Sequence, residues 1–404
     1  MARPRVHSTE PTPDRAYLVA AETPGQLLRA RDSLTELAEL ARTAGAVVVG
    51  AATQRLDHPN PATYIGKGKL QQVIEESRAL GANVVIFDDE LSPSQQRNLE
   101  RAIGLKVIDR TALILDIFAT RARTREGRLQ VELAQMEYLL PRLAGQWSHL
   151  ERLEGAIGTR GPGETQLETD RRLVRNRIAK IKRDLEVVRR QRALYRRLRQ
   201  RRGVPVVALV GYTNAGKSTL MSALSGANAH AEDKLFATLD PLTRRLRLPS
   251  GEVVLLTDTV GFIQKLPAQL VAAFRATLEE LEDADLLLHV VDISHPHAVQ
   301  HVQTVIATLE GLGLAEKPAL LVLNKVDRLL MPDGTATSRW EDVGDALHHR
   351  GVAVERAVPV SALHGWNLPT LLRRVEAGLD GDAPAAREAV LAILGAADRS
   401  PAAV

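Results

Sequence analysis

The first quarter of the chain alternates short apolar runs with segments whose apolar residues recur every three to four positions. The runs predict strands and the periodic segments predict helices. The predicted strands span residues 16–21, 46–51, 83–87 and 105–108, and the predicted helices span residues 27–44, 68–80 and 92–103. Strands that alternate with helices indicate a small parallel α/β sheet, which we expect at residues 16–110, after a flexible start at residues 1–15.

A different pattern follows, in which helical periodicity persists far longer. Residues 111–153 predict one long helix that Pro141 bends or ends, and residues 164–202 predict a second. The glycine-rich stretch 155–163 between them predicts irregular backbone. Together these segments predict an antiparallel helical hairpin over residues 111–203, in which the apolar positions of each helix pack against the other. These positions are Leu129, Leu133, Met136 and Leu140 in the first helix and Leu167, Leu173, Ile178, Ile181, Leu185, Val188, Leu194 and Leu198 in the second.

From residue 204 to residue 380 the alternation of apolar runs and helical segments returns. The predicted strands span residues 204–210, 243–248, 252–257, 286–292, 319–324 and 355–360. We therefore expect a second α/β domain here, followed by a short tail at residues 381–404.

The first strand of this domain runs into the pattern G-x-x-x-x-G-K-[ST], which is typical of a phosphate-binding loop. Its glycines let the backbone aim N–H groups at phosphate oxygens, and the next helix adds the positive end of its dipole. Lys217 should bridge the outer phosphates, and the Ser218 hydroxyl should bind Mg²⁺. The predicted nucleotide-binding residues are Gly211, Tyr212, Thr213, Asn214, Ala215, Gly216, Lys217, Ser218 and Thr219. A chance glycine-rich turn is the alternative.

Two further stretches supply groups for the metal and the γ-phosphate. Asp258 ends a buried run, where its carboxylate can hold Mg²⁺ through water, and the Gly261 N–H can meet the γ-phosphate. Thr238 lies in residues 234–241, which we interpret as a nucleotide-responsive switch. The predicted metal ligands are Ser218, Thr238 and Asp258. The predicted catalytic groups are Lys217, Thr238 and Gly261.

The strand at residues 319–324 ends in Asn324-Lys325-x-Asp327, where we expect the base to be read. Asp327 can accept hydrogen bonds from the ring N–H and the exocyclic amine of guanine. Adenine offers no such donor pair and would leave a buried carboxylate unpaired. The backbone at Ser361 and Ala362 can receive the guanine carbonyl. These stretches, in this order, predict a guanine-nucleotide site.

Composition and charge narrow the classes of protein. Of 404 residues, 45% are hydrophobic and 25% are charged, as in an ordinary folded protein. The absence of cysteine excludes disulfides and thiolate metal sites. No run approaches the length of a membrane span and the start lacks the apolar core of a signal peptide, so we predict a cytoplasmic protein. A fraction bound peripherally to a membrane stays open.

The net charge of +4 conceals a concentration of positive charge in the second long helix. Residues 170–203 carry fifteen Lys and Arg and three acids, a net charge of +12. Such a concentration favours a polyanionic partner. The alternatives are a solvated helix face for the arginines and a disordered connector for the glycine-rich stretch.

Other stretches that suggest binding sites receive simpler interpretations. The segment from Gly66 to Gly68 predicts a turn at a helix start rather than a second phosphate loop. The acids at residues 88–90 predict a solvated loop rather than a metal site. The histidines at positions 295, 297, 348 and 349 predict surface loop residues.

With these motifs in place, the chain resembles the HflX family of translational GTPases over residues 16–379. The resemblance rests on five stretches: Gly211-Tyr-Thr-Asn-Ala-Gly-Lys-Ser-Thr219, Phe236-Ala-Thr-Leu-Asp-Pro241, Asp258-Thr-Val-Gly-Phe-Ile263, Gly66-Lys-Gly68 and Gly161-Pro-Gly-Glu-Thr-Gln-Leu-Glu168. It implies a GTPase that binds the large ribosomal subunit and splits or rescues stalled ribosomes, with the hairpin and its loop reaching into ribosomal RNA. Some members carry a further C-terminal domain where this chain has its short tail.

Two details of the resemblance bear on the rate of hydrolysis. Phe262 stands where many small GTPases have a glutamine that orients the attacking water, so we expect slow hydrolysis that a partner surface raises. Asn214 matches related GTPases in which this residue helps to hold K⁺ beside the phosphates. Two functions stay open at this point: a GTP-hydrolysing ribosome factor, expected to be monomeric, or a nucleotide-gated adaptor whose basic helices bind another protein or an anionic membrane.

Overall fold

The structure is a computed structural model. It describes residues 13–24, 29–143, 162–201, 203–226, 235–236, 238–265, 280–331, 334–337, 339–349 and 357–390. The chain divides into two compact units, one made of Met1–Ile117 with Pro141–Leu167 and the other of Phe118–Leu140 with Glu168–Val404. The domain boundaries drawn from the sequence stay a prediction.

The first unit contains the predicted parallel sheet. Its elements are β1 (Arg15–Glu22), α1 (Ala30–Thr43), β2 (Val47–Arg55), α2 (Lys67–Ala79), β3 (Val84–Phe87), α3 (Pro93–Ile103) and β4 (Lys106–Asp109). The strand order is β2-β1-β3-β4, and all neighbouring strands are parallel. The central strands β1 and β3 are buried along nearly their whole length, which explains their continuous apolar runs.

Two helices of this unit begin where the sequence predicts. Ser92 caps α3, since its hydroxyl accepts from the Gln95 N–H at 3.2 Å while the Gln95 side chain accepts from the Ser92 N–H at 3.0 Å. Gly66 is the N-cap of α2, so the prediction of a turn at a helix start is confirmed.

The expectation of a solvated loop is wrong for Asp88. This carboxylate is fully buried, where it pairs with Arg110 at 2.8 Å and accepts from the Ser33 hydroxyl at 2.6 Å. The Arg110 side chain is only 2% exposed and also pairs with Glu36. Because parallel strands bring their carboxyl ends to one edge, residues that follow β3 and β4 meet there.

Replacing Asp88 by alanine should lower the free energy of unfolding by about 3 kcal/mol, because it removes one partner of a buried guanidinium. The matched control is Glu90→Ala, which removes an exposed carboxylate two residues away and should cost at most about 0.5 kcal/mol. Urea unfolding of both variants measures the difference. Equal, small effects would show that the other partners of Arg110 satisfy it alone.

The single long helix predicted at residues 111–153 is wrong, because the chain breaks it. Helix α4 (Arg110–Arg121) ends, and α5 (Arg125–Leu139) begins after three intervening residues. Thr124 starts the new helix, since its hydroxyl accepts from the Gly127 N–H at 3.0 Å in the geometry of an N-cap. A hydroxyl that satisfies a free amide at the start of a helix favours a new start over continuation.

The second long helix, α6 (Pro162–Arg201), matches its prediction closely. Pro162 and Gly163 belong to this helix, so the predicted irregular stretch is wrong for these two residues. Proline fits a first helical position because its missing N–H would have no partner there. Residues 155–161 of that stretch lie outside the described residues.

Helices α5 and α6 pack in opposite directions, as the predicted hairpin requires. Glu126 near the start of α5 pairs with Arg192 at 2.9 Å, while Glu137 near its end pairs with Lys182 at 2.8 Å. Between these pairs, Leu133 packs on Ile181 and Leu185 in a small buried cluster.

Two residues of the predicted apolar stripe do not lie in this contact. Leu173 and Leu194 are 59% and 62% exposed. At about 100° per residue, eight and thirteen positions from Ile181 rotate them away from the face that meets α5. The buried seam is therefore shorter than the stripe that the sequence suggests.

The second unit also holds the larger sheet. Its elements are β5 (Val206–Gly211), α7 (Lys217–Ser225), β6 (Leu242–Arg247), β7 (Val253–Asp258), β8 (Leu286–Asp292), α8 (Ala298–Gly311), β9 (Ala319–Asn324), α9 (Val343–His349), β10 (Ala357–Pro359), α10 (Leu368–Leu379) and α11 (Ala386–Ala389). In the described residues the strand order is β10-β9-β8-β5-β7-β6, and only β6 runs antiparallel to its neighbour. The six predicted strands are confirmed.

Helices cover both faces of this sheet. Leu220 of α7 and Leu371 of α10 belong to one buried core, and Val302 of α8 and Leu347 of α9 belong to another. Burial on both faces places the polar motifs at the carboxyl ends of the strands, where loops reach the surface. None of the helices in the described ranges combines the length and apolar content needed to cross a bilayer.

Candidate nucleotide-binding site

The phosphate loop connects the end of β5 to the start of α7. Gly211 has a φ of 153°, and a Cβ there would lie 2.2 Å from the Val290 carbonyl oxygen. Gly216 has a φ of 90°, and a Cβ there would lie 2.2 Å from Nδ2 of Asn324. Both positions therefore require glycine, for conformation and for space.

Lys217 lies inside the loop rather than in solvent. Its Nζ donates to the carbonyls of Gly211 at 3.1 Å and Tyr212 at 2.9 Å. Burial lowers the pKa of Lys217 to about 8, and the nearby Asp258 carboxylate opposes that shift. The ammonium thus points into the concave side of the loop, where an added anion would favour its charged form.

The three predicted metal ligands come together from three separate segments. The Ser218 hydroxyl donates to Oδ2 of Asp258 at 2.6 Å, and the Thr238 hydroxyl donates to the same oxygen at 2.9 Å. The two hydroxyl oxygens are 2.8 Å apart. Oδ1 of Asp258 is buried without a hydrogen-bond partner in the described part of the chain. Three hard oxygen donors with an unpaired carboxylate oxygen fit Mg²⁺.

The backbone after β7 packs tightly on the phosphate loop. The Thr213 N–H donates to the Phe262 carbonyl at 2.7 Å, and the Phe262 N–H donates to the Gly211 carbonyl at 3.1 Å. A Cβ on Gly261 would lie 2.9 Å from the Thr213 Cα and 3.0 Å from Nζ of Lys217. Gly261 is therefore required for the close approach. The Phe262 ring is buried and carries no group that can orient water.

Asn324 connects the segment that is predicted to read the base to the phosphate loop. Its Nδ2 donates to the Ala215 carbonyl at 2.9 Å, while its Oδ1 accepts from the Ala362 N–H at 3.0 Å. A buried amide that is satisfied on both sides fixes the distance between these two loops. Asn324 thus holds the phosphate loop and the loop after β10 in a fixed relation.

The other residues that are predicted to contact the base lie in the two segments that Asn324 joins. Asp327 follows β9 in a short turn of 3₁₀-helix, and Nε2 of His364 lies 4.0 Å from its Oδ2. Lys325, with a φ of 62°, directs its ammonium to Oδ2 of Asp292 at 2.8 Å. Ser361 is fully buried, and its hydroxyl accepts from the His364 N–H at 3.2 Å.

The last two residues of the predicted set lie on the phosphate loop and the first turn of α7. Asn214 has a φ of 58° and an exposed side chain, and Thr219 is half-buried. The structure thus brings the predicted residues to one edge of the sheet. Their individual roles in binding and catalysis stay predictions.

Sequence reasoning missed an aromatic stack beside the loop. The Tyr212 ring lies parallel to His301 at 3.8 Å between centroids, and His295 and His297 continue the cluster. Burial lowers the pKa of His301 to about 3, so this ring is neutral at pH 7. His295 and His297 lie in the loop before α8, as predicted, but both are half-buried rather than fully exposed. Position 348 is exposed as predicted.

Sequence reasoning also missed His289 in the middle of β8. Burial and the Lys217 charge lower the pKa of His289 to about 3, and neither ring nitrogen has a hydrogen-bond partner within the described residues. A histidine inside an otherwise apolar run was the available signal.

The fold and the site define a P-loop GTPase, and family models match the chain in three consecutive parts. A model described as "GTP-binding GTPase N-terminal" matches residues 31–119, and one described as "GTP-binding GTPase Middle Region" matches residues 121–199. A third, described as "50S ribosome-binding GTPase", matches residues 206–325.

Curated relatives agree with these matches. GTPase HflX of Lacrimispora saccharolytica is 49% identical over 90% of this chain and 82% of its own length. GTPase HflX of Escherichia coli K12 is 47% identical over 87% and 80%, and that of Alkalihalophilus pseudofirmus is 58% identical over 73% and 70%. The chain therefore belongs to the HflX family of GTPases.

Proposed function

We propose that this protein hydrolyses GTP as a factor of the large ribosomal subunit, where it splits or rescues stalled ribosomes. The observation that carries the proposal is the exposed cationic face of α6, which belongs to the same compact unit as the phosphate loop. Arg172, Arg183 and Arg190 are exposed on it, and their spacing of eleven and seven residues places them on one side of the helix. Ribosomal RNA is a polyanion that such a face suits.

Membership of the HflX family and the description of the matched family model support this assignment. A ribosomal target also implies a cytoplasmic location, and we expect the protein to act as a monomer. A GTP site joined to a basic helix pair lets nucleotide state regulate affinity for RNA.

We assign Mg²⁺ to the oxygen cluster of Ser218, Thr238 and Asp258, which fits it by donor type. When bound, Mg²⁺ would neutralise developing charge on the phosphates. The Lys217 ammonium would bind the outer phosphate oxygens, and the Gly261 N–H would donate to the γ-phosphate. Asp327 would accept from guanine, and the backbone at Ser361 and Ala362 would receive the guanine carbonyl. For this the Ala362 N–H would have to leave or share its hydrogen bond to Oδ1 of Asn324. The products are GDP and phosphate.

Hydrolysis by the isolated protein should be slow, because Phe262 cannot orient water. Large ribosomal subunits should raise the rate, as should replacing Na⁺ by K⁺ if Asn214 helps to hold that ion. We expect Asn214→Ala to remove a K⁺ effect of about tenfold and to leave the effect of the subunits in place. Phosphate release in the two salts, with and without subunits, measures this. Fast turnover of the isolated protein in Na⁺ would contradict both expectations.

The direct test of the proposal is co-sedimentation with large ribosomal subunits. The protein should pellet with them in the presence of a non-hydrolysable GTP analogue and should remain mostly in the supernatant with GDP. Binding to anionic vesicles instead, with no binding to subunits under either nucleotide, would favour the nucleotide-gated adaptor and overturn the ribosomal assignment.

A further inference from the structure

Thr238 lies in a segment that contacts α4 on one side and the start of α5 on the other. We call residues 235–236 and 238–240 the switch segment. The Phe236 ring is buried edge-to-face against Phe118, with 4.6 Å between centroids. Two residues after Thr238, the Asp240 carboxylate lies on the first turn of α5.

Both carboxylate oxygens of Asp240 accept hydrogen bonds at the start of α5. Oδ2 accepts from the backbone N–H of Arg123 at 2.8 Å and of Thr124 at 2.9 Å, while Oδ1 accepts from the Thr124 hydroxyl. These amides have no partner inside a helix that begins here, and the helix dipole favours a negative charge at this end. The carboxylate thus binds the backbone amides of the short segment between α4 and α5.

Gly127 makes room for this contact. A Cβ at this position would lie 2.3 Å from Oδ1 of Asp240. Glycine inside a helix lowers helix stability by about 1 kcal/mol relative to alanine. The hydrogen bonds that Asp240 makes through this close approach offset that loss.

The backbone of the switch segment is strained where it packs. Phe236 has a φ of 54°, a conformation that a bulky residue adopts only when its surroundings enforce it. The Phe118 ring and the Asp240 hydrogen bonds are the contacts on either side of Thr238. The Thr238 hydroxyl is therefore placed at Asp258 and Ser218 by a segment that is anchored outside the nucleotide site.

The same turn of α5 is joined to α6. Glu126, the second residue of α5, pairs with Arg192 of α6, and Arg192 also pairs with Glu280 at 3.4 Å. A movement of the switch segment would thus displace the start of α5, which is ion-paired with α6.

We propose that Asp240 is a positioning residue that holds Thr238 at the metal site through the first turn of α5, and that this contact couples the nucleotide site to the α5–α6 pair. The inference rests on the Mg²⁺–GTP binding proposed above. Because coupling between two sites is reciprocal, whatever binds α6 acts on Thr238 through the same contact.

The test is the ratio of affinities for a non-hydrolysable GTP analogue with Mg²⁺ and with EDTA. Asp240→Ala and Gly127→Ala should each lower this ratio by about tenfold to a hundredfold, since Thr238 acts at the metal. In a Thr238→Ala background, Asp240→Ala should have no further effect on the ratio. The control is Glu132→Ala, which breaks the ion pair with Arg177 elsewhere on α5 and should leave the ratio unchanged.

Hydrogen exchange provides a second readout. Adding Mg²⁺ and the analogue to the parent protein should slow exchange of the amides of Arg123 and Thr124, and Thr238→Ala should abolish that protection. If Asp240→Ala lowers the melting temperature and leaves the Mg²⁺ ratio and the protection unchanged, the contact is only structural and the inference is wrong. If the parent protein shows no Mg²⁺-dependent binding of the analogue, the proposed function itself fails.

Discussion

Asp327→Asn should reduce GTP affinity by about 10²- to 10⁴-fold, because it weakens two charge-assisted hydrogen bonds of about 1.5–3 kcal/mol each. The same change should raise affinity for xanthosine triphosphate. Xanthine has a carbonyl where guanine has an amine, and the new amide can donate to it, whereas the carboxylate could only accept. The site would then read a different base with the same loop.

Calorimetric titration of the two nucleotides into the parent and the variant measures this exchange of specificity. The matched control is Asp345→Asn, which removes an exposed carboxylate on α9 and should change neither affinity. Against the parent protein, ATP should not compete with GTP. Equal competition by ATP would show that Asp327 does not read the base.

The meeting of Ser218, Thr238 and Asp258 could be anticipated because strand topology enforces it. Parallel strands end at one edge, so Asp258 at the end of β7 must lie near a loop that follows the neighbouring β5. The motif spacing then identifies which groups arrive there. The place of Thr238 in the metal site is harder to predict, since Thr238 lies in a segment without regular structure. Only its position between the phosphate loop and the next strand indicates this role.

Contacts between distant segments could not be anticipated in this way. Asp240 bonds to Arg123 and Thr124 across more than a hundred residues, and Asp88 pairs with Arg110 across two separate strand ends. Neither pair produces a periodic pattern, and a lone carboxylate in a loop looks solvated in sequence. Their pairing depends on tertiary packing, which propensity and periodicity do not encode.

The break between α4 and α5 is another feature that the sequence pattern does not predict. Residues 111–139 keep a helical period throughout, so the pattern gave no reason for an interruption. Thr124 is a strong N-cap residue, but threonine also occurs inside helices. Its hydroxyl also donates to the Asp240 carboxylate, a contact that local sequence does not encode.

The cationic helix α6 is less free than its composition suggests. Of its fourteen cations, Arg177, Lys182 and Arg192 are committed to acids of α5 or to Glu280. Reversing those would disturb the helix pair itself, and any loss of RNA binding would be ambiguous. The cations to change are the exposed ones on the face turned away from Ile181 and Leu185.

Reversing that face with Arg172→Glu, Arg183→Glu and Arg190→Glu should weaken binding to large ribosomal subunits by at least about a hundredfold at physiological salt. Each lost phosphate contact should also flatten the dependence of log affinity on log salt by about 0.7 to 0.9, so three contacts reduce the slope by about 2 to 3. Affinity for GTP should stay within about twofold, because none of the three residues belongs to the phosphate loop, the switch segment or the segment predicted to read the base. The matched control reverses three exposed arginines elsewhere in the same unit, Arg245, Arg247 and Arg373. If both triple variants lose affinity equally and keep parallel salt slopes, net charge alone governs association and α6 is not the RNA-binding face.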